Sequence, residues 1–305
     1  MSTATQPGDR AATTDPAPTS PCEQVRIELP WGSLAALAHR VDGGQKVLCL
    51  HGWMDNAASF LPLATQWCTT DAPDLVALDN AGHGQSDHRP LASRYYFADY
   101  LFDIDAALDA LGWESCVIVG HSMGAALGAA MAAAAPERVE KLVMLDGLGL
   151  VTEAPGKAAE RLRNAMRATR KNREHRRRFQ HIEDAAAIRQ VNMPMSDGAA
   201  MQLADRALER TDNGWRWRTD PRAMWPSPMF MTEPQSDAIL AAIECPVLAV
   251  YTPVMESWLG ADRVAARMAQ VRHLESRRLD GGHHVHMDDP EPVTNAIRAF
   301  LGKET

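Results

Sequence analysis

Five short stretches of the chain share one design: KVLCLHGW (46–53), DLVALDNAGHG (74–84), SCVIVGHS (115–122), KLVMLDGLG (141–149) and CPVLAVYT (245–252). Each is a run of apolar residues with no alternation, and the first four turn at glycine. A strand that faces water on one side alternates apolar and polar residues. A strand buried on both faces does not, and such strands belong to parallel sheets covered by helices. The segments between them are compatible with helix: 56–68, 96–111, 123–134 and 261–270, with EPVTNAIRAFL closing the chain after Pro290. This alternation predicts an α/β fold, a mainly parallel central sheet flanked by helices and joined by right-handed crossovers. Ahead of it, VRIELPWGSLAALAHR (25–40) alternates around Pro30-Trp31-Gly32 and reads as a β-hairpin.

The rhythm breaks between residues 151 and 235, where no buried-strand pattern occurs. Residues 157–178 carry ten Lys and Arg against two Glu. DAAAIRQV and GAAMQLADRALER follow with helical character, then the aromatic, proline-punctuated GWRWRTDPRAMWPSPMF. The expected organisation is a Ser/Thr/Pro/Ala-rich tail over 1–23, a core domain over 24–150 and 236–305, and a helical cap insertion over 151–235. A net charge of -8 argues against a nucleic-acid binder. The five scattered cysteines form no CxxC pair and read as reduced thiols. The tail has no basic and apolar segments of a secretory signal, and no apolar run is long enough to span a membrane. The expectation is a cytoplasmic protein.

Ligands of open α/β sheets bind at the carboxyl ends of the strands, where the glycine turns fall. One of them, Gly120-His121-Ser122-Met123-Gly124, lies between an apolar strand and the alanine-rich run that follows. A serine there is either the helix N-cap or a nucleophile on a strained elbow, with glycines where side chains would collide. The helix N-terminus behind it offers free N–H groups and a positive dipole end to a developing oxyanion.

Four motifs in order resemble the α/β-hydrolase family, over residues 25–301. They are LHGW (50–53), DNAGHGQS (79–86), the GHSMG elbow, and GGHHVHMDDPEPV (281–293). More narrowly, HGWMDNAASF with GHHVHM resembles the serine hydrolase-like, kraken-type branch. The resemblance implies Ser122 as nucleophile and His283, seven residues before Pro290, as base. It also implies backbone N–H groups of Trp53 and Met123 as the oxyanion hole. The acid has two slots. One follows the CPVLAVYT strand, where the usual Gly-x-x-Asp turn is replaced by TPVMES and the nearest carboxylate is Glu256. The other is Asp146, at the tip of LVMLDGLG among glycines, and Asp146 is preferred. His284 and His286 beside His283 raise the question of a metal. No carboxylate or cysteine pattern accompanies them in the sequence, so none is expected. His51, His83 and His121 read as structural histidines. Asp55 or Asn56 reads as a helix cap. Of Trp215, Trp217 and Trp225, two are expected to pack the cap.

The function implied is a serine hydrolase cleaving a carboxylic ester or thioester through an acyl-enzyme, without a cofactor. A C–C bond hydrolase, a cofactor-free perhydrolase or a non-catalytic ligand-binding protein on the same fold are the alternatives. The partner is a small-molecule acyl ester. The basic stretch is either a solvated helix face or a patch that steers an anionic or lipid-like substrate.

Overall fold

The computed structural model describes residues 20–68, 72–170 and 177–302. Most of the N-terminal tail and part of the basic stretch lie outside them. The strands are β1 (Glu23–Leu29), β2 (Gly32–His39), β3 (Lys46–Leu50), β4 (Asp74–Leu78), β5 (Cys116–His121), β6 (Val139–Leu145), β7 (Leu208–Thr211), β8 (Gly214–Trp217), β9 (Val247–Tyr251) and β10 (Leu274–Arg278). The helices are α1 (Leu61–Trp67), α2 (Phe97–Ala110), α3 (Met123–Ala134), α4 (Ala158–Thr169), α5 (Ile182–Asn192), α6 (Asp197–Ala207), α7 (Glu233–Ala241), α8 (Pro253–Leu259), α9 (Ala261–Met268), α10 (Val285–Asp288) and α11 (Pro290–Leu301).

Eight strands form one sheet in the order β1-β2-β4-β3-β5-β6-β9-β10. The β1–β2 and β2–β4 pairs are antiparallel; all pairs from β4 to β10 are parallel. Side chains of β3, β4, β5, β6 and β9 point alternately into two apolar layers. Leu48, Val76, Ile118, Leu142 and Val247 join α2, α3, α7 and α9 through Ile104, Leu127, Leu240 and Val264. Val47, Leu75, Val119, Val143 and Leu248 join α1 and α11 through Leu63, Trp67, Val293 and Ile297. Burial on both faces is why these strands show no alternation in sequence. The hairpin expected over 25–40 is β1–β2.

Strand β10, Leu274-Glu-Ser-Arg-Arg278, has no such signature because it sits at the sheet edge and is largely exposed. A second departure lies between β6 and β9. The segment is helical in α4, α5 and α6, but Leu208-Glu-Arg of the apparent helix GAAMQLADRALER instead begins an antiparallel hairpin, β7–β8. Asp212-Asn213 is its two-residue turn, a loop chemistry that favours tight hairpins. Phe179, Ala185, Ala186, Ala200, Ala204 and Leu208 form a separate small core here, with Trp215 and Trp217 packed against it. Among the described residues no helix is long and apolar enough to cross a membrane.

Candidate active site

Strand β5 ends at His121, Ser122 turns the chain, and α3 begins at Met123. Ser122 has φ 52° and ψ -111°, a conformation that L-residues avoid and that costs about 1–3 kcal/mol. Neighbouring backbone holds it there: Ser122 N–H donates to Leu145 O at 3.0 Å, while Ser122 O accepts from the N–H groups of Ala125 and Ala126. The two flanking glycines are steric requirements. A Cβ at Gly120 would lie 2.2 Å from Gly124 O, and one at Gly124 would lie 1.8 Å from Leu50 O. The serine side chain makes no capping hydrogen bond to α3, so it does not serve the helix as an N-cap does.

In the sheet, β6 adjoins β5, with Leu145 opposite His121. The next residue, Asp146, thus stands beside Ser122. It is also in the left-handed region, at φ 43°, and Gly147 lies close enough that a Cβ there would meet Ser122 O at 2.8 Å. The buried Asp146 carboxylate is fully occupied. Its Oδ1 accepts from Thr252 N–H at 2.8 Å and from Thr252 Oγ1 at 2.9 Å. Its Oδ2 lies 2.7 Å from His283 Nδ1. A carboxylate there accepts, so Nδ1 carries the proton and neutral His283 presents a bare Nε2, the form needed in a general base. Burial pushes the His283 pKa below its ordinary 6.5, and the hydrogen bond to Asp146 opposes that shift. Trp258 of α8 packs on the ring at 4.6 Å between centroids.

Glu256 is placed elsewhere. It sits on α8 and pairs with Arg278 at 3.2 Å. Met123 is the first residue of α3, so its N–H has no carbonyl one turn earlier to bond. Trp53 lies on the turn after β3, and its indole Nε1 donates to Ala223 O at 3.2 Å, tying that turn to the segment before β9.

Comparison with known proteins agrees with this architecture. A profile described as the alpha/beta hydrolase fold matches residues 46–290. The chain belongs to the α/β-hydrolase fold family. Among its relatives is a serine hydrolase-like protein of Dictyostelium discoideum, 30% identical over 92% of this chain and 82% of the relative. A serine hydrolase-like protein of Danio rerio is 30% identical over 91% and 88%. A solved structure of a hypothetical protein from Pseudomonas aeruginosa PAO1 superposes with a TM-score of 0.85 at 38% identity, covering 92% of this chain and all of that one.

Several residues around this α/β-hydrolase site have no motif to announce them. Thr252, which donates twice to Asp146, is the final residue of the CPVLAVYT run. Of Asp55 and Asn56, the two cap candidates, Asn56 makes the cap by accepting from Ala58 N–H. Asp55 is instead a buried junction: Oδ2 lies 3.0 Å from His284 Nε2 and 3.5 Å from His121 Nδ1, and Oδ1 takes Arg189 of α5. The expectation that no carboxylate accompanies the histidines fails in space. A carboxylate does accompany the histidines, from a position 229 residues away in the chain. His51 is structural as expected, its Nδ1 on Gly52 O and its Nε2 accepting from Asn80 N–H. His83 Nδ1 lies 3.1 Å from Ala81 O. Trp215 and Trp217 pack against the small core. Trp225 lines a cavity of about 190 Å³ with Tyr96, Met166 and Arg94, whose guanidinium lies 5.0 Å from the indole centroid.

Proposed function

We propose that the protein is a serine hydrolase of carboxylic esters or thioesters, with Ser122 as nucleophile, His283 as base and Asp146 as acid. The observation that carries this reading is the 2.7 Å contact of His283 Nδ1 with a buried Asp146, whose strand tip adjoins the strained Ser122 elbow. Ser122 Oγ attacks the acyl carbonyl as its proton passes to His283 Nε2. The oxyanion is held by the N–H groups of Met123 and Trp53; losing one such donor costs about 3 kcal/mol in the barrier. The imidazolium gives its proton to the departing alcohol or thiol. The neutral imidazole then takes a proton from the water that attacks the acyl-enzyme and returns it to Ser122 Oγ as the acid leaves. Asp146 keeps its charge throughout and stabilises the imidazolium.

Residues 151–235 act as a cap over this end of the sheet. Trp53 meets that segment at Ala223, two residues before Trp225 of the Trp225–Arg94 cavity, which suits the non-reacting end of an ester that carries a negative charge. Binding energy realised there supports catalysis only if it is stronger in the transition state. A fluorophosphonate probe tests the nucleophile. Wild-type protein is expected to be labelled and Ser122→Ala to be blank; failure of folded wild type to react would remove the reading.

A further inference from the structure

Asp55, His121 and His284 meet beside Gly52 and are buried, at 5%, 0% and 2% exposure. Each offers one ligand atom, and the three atoms lie within 4.8 Å of one another. We propose that Asp55 Oδ2, His121 Nδ1 and His284 Nε2 bind one Zn²⁺ ion in a buried structural site adjoining His283.

The spacing favours an ion. Tetrahedral zinc, with bonds of about 2.0–2.1 Å, separates its ligand atoms by about 3.3 Å. Two of the three edges here are 3.0 Å, from Asp55 Oδ2 to His284 Nε2, and 3.5 Å, from Asp55 Oδ2 to His121 Nδ1. The absent side chain at position 52 leaves room between them. A Cβ on Gly52 would stand 3.0 Å from both Asp55 Oδ2 and His121 Nδ1.

The hydrogen bonds around the cluster point the same way. His121 Nε2 lies 2.9 Å from His283 O. A carbonyl only accepts, so Nε2 carries the hydrogen and a neutral His121 has a lone pair on Nδ1. Asp55 Oδ2 lies 3.5 Å from Nδ1, which among the described residues has no hydrogen-bond partner although the residue is fully buried. Two acceptors this close are reconciled by a positive charge at Nδ1, either a proton or a bound metal ion. A histidine that donates one nitrogen to a carbonyl and offers the other to an ion is the usual support for a metal ligand, and Arg189 supports the other oxygen of Asp55 in the same manner. Before the ion enters, His284 Nε2–H donates to Asp55. On binding, that hydrogen moves to Nδ1, which has no hydrogen-bond partner, and the ring stays neutral. His286 stands next to His121, with 4.2 Å between ring centroids, and both of its buried nitrogens lack partners among the described residues. Two imidazoles and a carboxylate suit zinc better than calcium or magnesium. Three protein ligands leave one tetrahedral position for a water, and the burial argues that the ion is structural. Held this way, the ion would fix the loop on which His283 rides.

The site is independent of the chemistry assigned to Ser122 and is tested separately from it. The full chain is stripped with chelator, dialysed against Zn²⁺ and assayed for bound metal; Co²⁺ loading then reports geometry by visible absorption. Expected are one Zn²⁺ per chain, a tetrahedral Co²⁺ spectrum, and a melting temperature raised by about 5 °C at a hundredfold excess over Kd. His284→Gln and His121→Gln should each abolish the signal, with folding checked by circular dichroism. Should either variant fail to fold, X-ray absorption on the wild type decides, with imidazole and oxygen scattering at about 2.0–2.1 Å expected. Folded wild type that retains no stoichiometric zinc would overturn the proposal, as would zinc retained unchanged in both folded variants. In the first case a proton on His121 Nδ1 occupies the place assigned to the ion.

Discussion

Replacing Asp146 by Asn changes one oxygen to NH₂ and leaves the volume almost untouched. The structure fixes which way the amide must lie. Thr252 N–H is a rigid backbone donor 2.8 Å from Oδ1, so the asparagine carbonyl has to face Thr252. Its NH₂ then faces His283 Nδ1, where the carboxylate oxygen stood at 2.7 Å. Two donors cannot share that contact. The ring responds by moving its hydrogen to Nε2, leaving Nδ1 to accept, and the lone pair that should deprotonate Ser122 is lost. In triad hydrolases the equivalent change costs about ten-thousand-fold in kcat, which is about 5 kcal/mol in the barrier. KM for a short p-nitrophenyl ester should stay within a few-fold, because Asp146 has no place in binding. Steady-state hydrolysis at neutral pH measures both constants, and a thermal melt verifies that the variant is folded. Glu256→Gln, which touches only the exposed pair with Arg278, should leave kcat within about twofold. A folded Asp146→Asn variant within tenfold of wild type would exclude Asp146 as the acid, and so would a larger loss in Glu256→Gln.

Three further outcomes follow from the packing. Gly124→Ala should yield insoluble or unfolded protein, since its Cβ would stand 1.8 Å from Leu50 O; soluble expression measures this. Ser122→Gly should abolish hydrolysis yet raise the melting temperature by about 2 °C, because glycine relieves φ 52° at a small entropic cost. Glu233 binds the buried Arg267 at 2.7 Å, and that hydrogen bond lowers its pKa from 4.5 to about 2. Its contribution is complete above pH 4.5 and drains away as pH falls toward 2. Glu233→Gln should therefore cost about 3 kcal/mol at pH 7 by leaving the Arg267 charge uncompensated, and the gap from wild type should narrow in acid, as read by denaturant titration.

How far the sequence reveals this protein depends on whether a feature is local. The parallel strands are legible because burial on both faces forces a continuous apolar run in each. Strand β10 is not, because an edge strand with exposed Glu275, Arg277 and Arg278 has no reason to be apolar. The β7–β8 hairpin is masked by Leu208-Glu-Arg, residues equally at home in the helix before them. At the site, the Ser122 elbow and the His283 loop are local motifs. The choice between Asp146 and Glu256 is topological: it turns on β6 lying between β5 and β9, which no spacing encodes. The junction of Asp55 with Arg189 and His284 spans 134 and 229 residues of chain, and only the folded molecule brings it together.

An activated Ser122 is the centre of the proposed chemistry. Incubating the folded protein with a fluorophosphonate, digesting it and mapping the adduct by mass spectrometry tests that directly. The predicted result is a single adduct on Ser122, absent in Ser122→Ala and formed far more slowly in His283→Gln. An unmodified wild-type chain, or an adduct on another residue, would contradict it.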